Sequence, residues 1–402
     1  MTLSMTWEQV RARRLARAHL LAPAKGRALV DVVSDVCGVQ AQVMRAAEIA
    51  IAVRVADVTQ EDVHRELWEK RTLVKTWSLR GTLHLHTAKD LPIWLGMRRG
   101  LAGYPEGDWY ANETGDRRRS EQLLDAIGKA LRGRTLLREE LADAVCRQVG
   151  EWPREQLSSG WAYGLDPAVY TGRLCQGPPQ GAKVTFARTD EWVRSWHEVD
   201  ADKALREAVR RYLRAYGPAT HARFAEWIAS RSLRATAARE LFESLGDELE
   251  PVDVDGKRHW LLRGDEEPAE TAPPLCLLPE YDALVLGFRE REHLLGDDAR
   301  ARLRDHGKGR LEGPAAVPWL LVDGRVAGWW SRKQRGPALE LRVEPFRALK
   351  RAQRAALEER AERLAAFFGL RLRLDVAPSA KRAASPPSSR SGASGSTDLA
   401  GD

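Results

Sequence analysis

The run ALREAVRRYLRAYGPATHARFAEWIASRSLRATAARELFESL, residues 204–245, followed by LEPVDVDGKRHWLL, residues 249–262, decides the fold. Its first part carries apolar residues at helical spacing. Gly217-Pro218 breaks the first helix, Thr220 is placed to cap a second, and SRSLRAT turns into a third. The second part is two strand-like runs around Asp255-Gly256, a strong hairpin signal. Three helices and a hairpin make a winged helix-turn-helix.

Outward from that unit the theme recurs twice. Residues 1–110 hold helical patterns in TWEQVRARRLARAHLL, GRALVDVVSDVCGV, VMRAAEIAIAVRV and TQEDVHRELWEK, the last opened by Thr59 as an N-cap. TLVKTWSLRGTLHLH, residues 72–86, then reads as two short strands joined tightly at Arg80-Gly81. Residues 111–198 repeat a helix pair, with Thr135 expected to cap the second helix and GPPQGAKVTFAR as a candidate wing. The expectation is an α+β, predominantly helical chain. It holds three tandem winged helix-turn-helix units (1–110, 111–198, 199–272), a mixed strand and helix region (273–376) and a disordered tail (377–402). The tail has no aromatic residue and one leucine, too little to offset the entropy of ordering.

Composition narrows the function. Of 402 residues 43% are hydrophobic, and no window holds 18 uninterrupted apolar residues, so no membrane span is expected. Four separated cysteines and nine histidines form no CxxC or HExxH pattern, so neither metal nor cofactor is expected. A reduced, cytoplasmic monomer fits. The formal charge of +7 permits nucleic-acid binding, and equally an ordinary basic surface.

Between two apolar runs stands GVQAQ, residues 38–42. Gln40 and Gln42 have no acid, histidine or cysteine beside them. In a continuous helix they would point about 200° apart, so acting on one atom needs an extended backbone, which Gly38 makes accessible. The bland reading is a helix linker with two solvated amides.

Three runs together, GVQAQ, TWSLRGTLHLHTAKDL (76–91) and LLPEYDALVLGFRERE (277–292), resemble the AlkZ/YcaQ-like winged-helix DNA glycosylases, in order and across nearly all the folded part. The resemblance implies a C-shaped array of winged helices whose channel holds duplex DNA, with a Gln-x-Gln or Gln-x-Asp motif at the catalytic centre. Gln40 and Gln42 match the Gln-x-Gln branch, which includes self-resistance enzymes against DNA-alkylating antibiotics. The implied reaction is hydrolysis of the N-glycosidic bond of cationic N7- or N3-alkylated purines, including bulky adducts and crosslinks. The chemistry is coherent: an alkylated purine already carries the charge that lets it leave neutral, so amides that hold a water and the deoxyribose suffice. The alternative is a non-catalytic winged-helix DNA-binding regulator, which has no need of the glutamines.

Other groups carry weaker signals. Lys75 and Arg80 suit phosphate contacts, with Thr82, His84 and His86 either facing DNA beside them or packed in a core. Glu280, Tyr281 and Asp282 form an acidic turn that either supports catalysis or orients arginines such as Arg289. Arg325, Trp329, Arg332 and Lys333 combine aromatic and basic groups on a hairpin that could probe a groove. There, one tryptophan of the Trp329-Trp330 pair is the natural core residue.

Overall fold

The computed structural model describes residues 3–159, 165–228, 233–265, 275–287, 291–296, 299–302 and 316–378. Arg289, the loop 229–232 and the tail from residue 379 lie outside the described residues. The class is α+β, with more helix than strand.

The chain opens with a short strand β1 (Leu3–Met5) and the helix Trp7–Arg17. The helix Leu29–Asp35 leads into the two-residue strand β2 (Val39–Gln40) and the helix Met44–Ala52. The helix Gln60–Trp68 follows, its N-terminus capped by Thr59 in a capping box with Asp62. Strands β3 (Leu73–Trp77) and β4 (Leu83–Thr87) form the expected hairpin, turned at Arg80 and Gly81, both at positive φ. β2 adds to this hairpin on the β4 side, giving the order β2-β4-β3.

The second segment holds the helices Arg117–Ala130 and Arg138–Val149 and a sheet of β5 (Leu136–Leu137), β6 (Cys175–Gln180) and β7 (Lys183–Ala187), in the order β5-β7-β6. Thr135 is not the cap expected of it. The helix starts only after Leu136 and Leu137 have paired with Phe186 and Thr185, and Glu140 accepts from the Leu137 N–H instead. The third segment holds the helices Ala201–Tyr216, His221–Ile228 and Ala235–Glu243, then β8 (Leu249–Val254) and β9 (Lys257–Leu262) around Asp255-Gly256. The Thr220 hydroxyl accepts from the Arg223 N–H at 3.3 Å. β1 joins this third sheet, pairing parallel with β8, Leu3 opposite Val252. The first residues of the chain are thus part of the third segment's sheet.

The C-terminal region is a five-stranded sheet of β10 (Cys276–Leu278), β11 (Trp319–Val322), β12 (Arg325–Arg335), β13 (Ala338–Pro345) and β14 (Arg371–Val376), in sequence order. Its pairs are antiparallel except β13–β14, which the helix Arg351–Phe367 joins as a parallel crossover.

Among the described residues several apolar cores meet around the first segment, a small one of Met5 and Val10 with Val252, Val254 and Leu261 among them. Leu15, Val33, Ile49 and Leu67 pack with the C-terminal Leu277, Trp319, Trp330 and Leu364. Val74, Trp77 and Leu83 pack with the second segment, and Cys37, Leu79 and Trp94 with the third. The strand with the glutamines lies where these cores adjoin. Among the described residues no helix is long and apolar enough to cross a membrane.

Candidate functional site

The glutamines owe their placement to the end of a helix. After Asp35, the Cys37 N–H bonds to the Ser34 carbonyl at 2.9 Å and the Gly38 N–H to the Val33 carbonyl at 2.9 Å. Cys37 is left-handed at φ 61 and Gly38 at φ 92. This C-terminal motif releases the chain in an extended direction. Gly38 is required twice, because a Cβ there would lie 2.4 Å from the His86 ring. The Tyr216 hydroxyl donates to the Val36 carbonyl at 2.7 Å, so the third segment holds the turn in place.

Beyond the turn, Gln40 pairs with His84 of β4, and the Ala41 N–H extends the ladder to the Leu83 carbonyl at 2.7 Å. Gln40 closes the strand β2, and Gln42 follows it in a bend, exposed where Gln40 is buried. Gln40 is 8% exposed, and no described residue hydrogen-bonds its side chain. Gln42 is exposed, with its Oε1 near the Leu83 N–H at 3.4 Å. A void of about 10 Å³, the room of one water, adjoins Gln40 and is lined also by Gly38, Arg80, His84, Tyr216 and Trp227. Among the described residues no carboxylate lines it.

The histidines lie beneath, not outside. Both are buried and stacked, 5.6 Å apart between ring centroids. His84 Nδ1 donates to the Thr82 carbonyl at 2.9 Å, which leaves Nε2 to accept from the Arg80 guanidinium at 3.0 Å. Burial, then the charge of Arg80 and the neighbouring His86, push His84 well below the usual imidazole range. His86 meets the Ser78 hydroxyl at 2.7 Å, and burial drives it down to about 3. Both rings are neutral at working pH. Neither reaches the surface, so a groove contact by His84 or His86 gives way to an internal role. Arg80 is half-buried, and its other fork bonds the Trp227 carbonyl at 2.8 Å. The Thr82 hydroxyl turns back to the Leu79 carbonyl.

The acids are committed to arginines. Asp282 grips Arg54 through two bonds of 2.7 and 2.6 Å, fully buried, and accepts from the Leu284 N–H. Glu280 grips Arg332 at 2.8 and 2.7 Å. Tyr281 is half-buried at a left-handed turn, φ 58. Trp330 is the core tryptophan of its pair, and Trp329 is half-buried with its N–H on Glu344. Lys333 and Arg325 are exposed at opposite parts of the 11-residue β12. Lys75 is half-exposed, its ammonium held below its ordinary value by burial against the opposing pull of Glu48. The far end of β12 returns to the glutamines: Arg45 donates to Gln334 at 2.9 Å and lies 4.1 Å over the Phe368 ring.

Three contributors escaped the sequence reading. Arg54 had a signal, a lone arginine in the apolar run AIAVRV. Trp227 and Tyr216 had none beyond being aromatic residues on amphipathic helices.

The model of the AlkZ-like DNA glycosylase family matches residues 33–367. A protein of Streptomyces sahachiroi described as an interstrand DNA cross-link repair glycosylase is 32% identical over 377 residues, covering 92% of this chain and 98% of that protein. The solved structure of the Streptomyces sahachiroi DNA glycosylase AlkZ superposes with a TM-score of 0.81 at 32% identity, over 93% of this chain and all of that one. The chain belongs to the AlkZ-like DNA glycosylase family.

Proposed function

We propose that this DNA glycosylase hydrolyses the N-glycosidic bond of cationic N7- and N3-alkylated purines in duplex DNA, bulky adducts and interstrand crosslinks included. The observation that carries the reading is the placement of Gln40: 8% exposed, at the end of a strand, beside a void that fits one water.

The electron pair of the C1′–N bond leaves with the purine, which departs neutral because it was a cation. The water adds to C1′ and its proton passes to solvent. Gln40 Oε1 accepts a hydrogen bond from that water and fixes its direction, and Gln42, two residues on, meets the deoxyribose. Glycosidases that act on uncharged sugars use two carboxylates. Here Asp282 and Glu280 are neutralised by Arg54 and Arg332, and both imidazoles are neutral. Such surroundings supply no general acid, and a cationic substrate needs none. The void is also far below the roughly 300 Å³ at which small-molecule pockets begin. The purine therefore stays outside it, consistent with action on lesions too large to flip.

In this reading the three helix-and-hairpin segments act as tandem winged helices around a C-shaped DNA channel. Lys75, Arg80, Arg325 and Lys333 lie along phosphates, and the protein works as a monomer at the nucleoid. The regulator alternative is not favoured, because the relatives at 32% identity are named as DNA glycosylases. The test is duplex DNA with one N7-methylguanine, incubated with protein and heated in alkali. Strand cleavage that Gln40→Ala and Gln42→Ala both abolish is expected. Undiminished cleavage by either variant would sink the assignment of that glutamine.

A further inference from the structure

We propose that His84 is a positioning residue for catalysis: its Nε2 holds the Arg80 guanidinium at the wall of the Gln40 void, where Arg80 binds the phosphate flanking the lesion. The inference rests on the glycosylase reading.

The strand register brings the three residues together. Gln40 and His84 are paired directly across β2 and β4, so their side chains share one side of the sheet. Arg80 reaches the same void from the turn before β4, and all three line it. The turn is strained to deliver it. Arg80 stands at φ 59 and ψ 18, a left-handed conformation that a long side chain rarely adopts. Such outliers gather at functional sites. Glycine would relieve the strain, so the arginine is there for its side chain.

Two acceptors fix the guanidinium. The carbonyl of Trp227, in the last turn of the helix His221–Ile228, accepts at 2.8 Å, and His84 Nε2 accepts at 3.0 Å. The Thr82 carbonyl takes the His84 Nδ1 proton, which leaves Nε2 as the acceptor. Both acceptors are uncharged, so neither offsets the charge of the guanidinium. A cation at this wall opposes the positive charge that develops on the deoxyribose. The phosphodiester beside that sugar is the anion that offsets it, and a guanidinium fork suits its oxygens. Bound there, the phosphate also holds the sugar at Gln40.

The test uses duplexes with one N7-methylguanine in which the phosphate on the 3′ or the 5′ side of the lesion is intact or replaced by an uncharged methylphosphonate. Single-turnover base release is measured for wild type, Arg80→Gln, His84→Phe and His84→Gln. Phenylalanine keeps a ring on His86 but no acceptor, and glutamine keeps an acceptor. Wild type should slow on the order of tenfold on one of the two uncharged duplexes. Arg80→Gln and His84→Phe should be slowed about as much on the intact duplex and little further on the uncharged one, because the contact is already gone. His84→Gln should keep most of the wild-type sensitivity. His84→Leu takes the place of His84→Phe if that variant does not fold. Wild-type rates indifferent to both replacements, or a His84→Phe rate that falls by the full factor again, overturn the role of Arg80 and His84 alone. Release of no base by wild type from the intact duplex overturns the glycosylase reading and this proposal with it.

Discussion

Replacing Gly38 by alanine should injure the site through one contact whose size can be worked out. Gly38 sits at φ 92, where an L side chain is strained by roughly 1–2 kcal/mol. The new Cβ would also lie 2.4 Å from His86 Cε1 and Nδ1 and 3.0 Å from the Leu85 carbonyl. The His86 ring cannot swing away. It is buried, bonded to Ser78, and stacked on His84 and Trp94. Overpacking of this kind costs about 1–3 kcal/mol, so Gly38→Ala should lose about 2–5 kcal/mol in all, a sizeable part of the stability of an ordinary domain. Gly81→Ala is the control. Its φ is 68, but nothing lies within 4 Å of the new Cβ, so only the first cost applies. Urea unfolding of wild type and both variants gives the difference, expected at about 1–3 kcal/mol. N7-methylguanine release, measured where all three are folded, should fall sharply in Gly38→Ala and little in Gly81→Ala. Equal destabilisation by the two substitutions, with release intact in both, would refute the claim that Gly38 and His86 together set the glutamine strand.

Asp282→Ala leaves Arg54 charged and buried without its partner, and should cost about 3–5 kcal/mol in urea unfolding; a loss below 1 kcal/mol would contradict the pairing. The two depressed imidazoles stay neutral in the folded state while the unfolded chain protonates near pH 6.5. Their contribution is therefore fully present above pH 6.5 and lost as pH falls below it, for His86 by about 1.4 kcal/mol per unit down to about 3, with His84 acting in the same direction. Urea midpoints that stay flat from pH 7 to 5 would argue against it. Tyr216→Phe strips the Val36 carbonyl of its buried donor, so about 1–3 kcal/mol should be lost along with slower base release; normal unfolding and release would mean the tie is dispensable. Lys75→Ala, Arg325→Ala and Lys333→Ala should each reduce the slope of log affinity against log salt for duplex DNA by about 1, and an unaltered slope removes that residue from the phosphate track.

What could be read from the residues was what depends on neighbours in sequence. The hairpin at Asp255-Gly256 and the cap at Thr59 are local chemistry, and both are present. Thr135 failed because its neighbours Leu136 and Leu137 found strand partners 50 residues away. The need of the glutamines for extended backbone was legible, but not the strand they join: two residues have no periodicity, and their register with β4 is a tertiary fact. In the alternation of LHLHT, residues 83–87, His84 and His86 had to share a face, yet both faces of this sheet are covered, so alternation does not reveal which neighbours they meet. For the acids at 280 and 282 the residues left two roles open, catalysis or the orienting of nearby arginines such as Arg289, and the partners are instead the distant Arg54 and Arg332. Which arginines depends on how the C-terminal region docks on the helix Met44–Ala52, and no pattern in either run encodes that.

The buried pair Arg54–Asp282 also has a meaning in time. A ribosome adds about 5–20 residues per second, so the glutamine strand emerges roughly 10–50 s before Asp282 exists to neutralise the arginine behind it. Until then the turn at Val36 waits for Tyr216, and β1 waits for β8. The strand that carries Gln40 is made early and seated late, when nearly the whole chain is present.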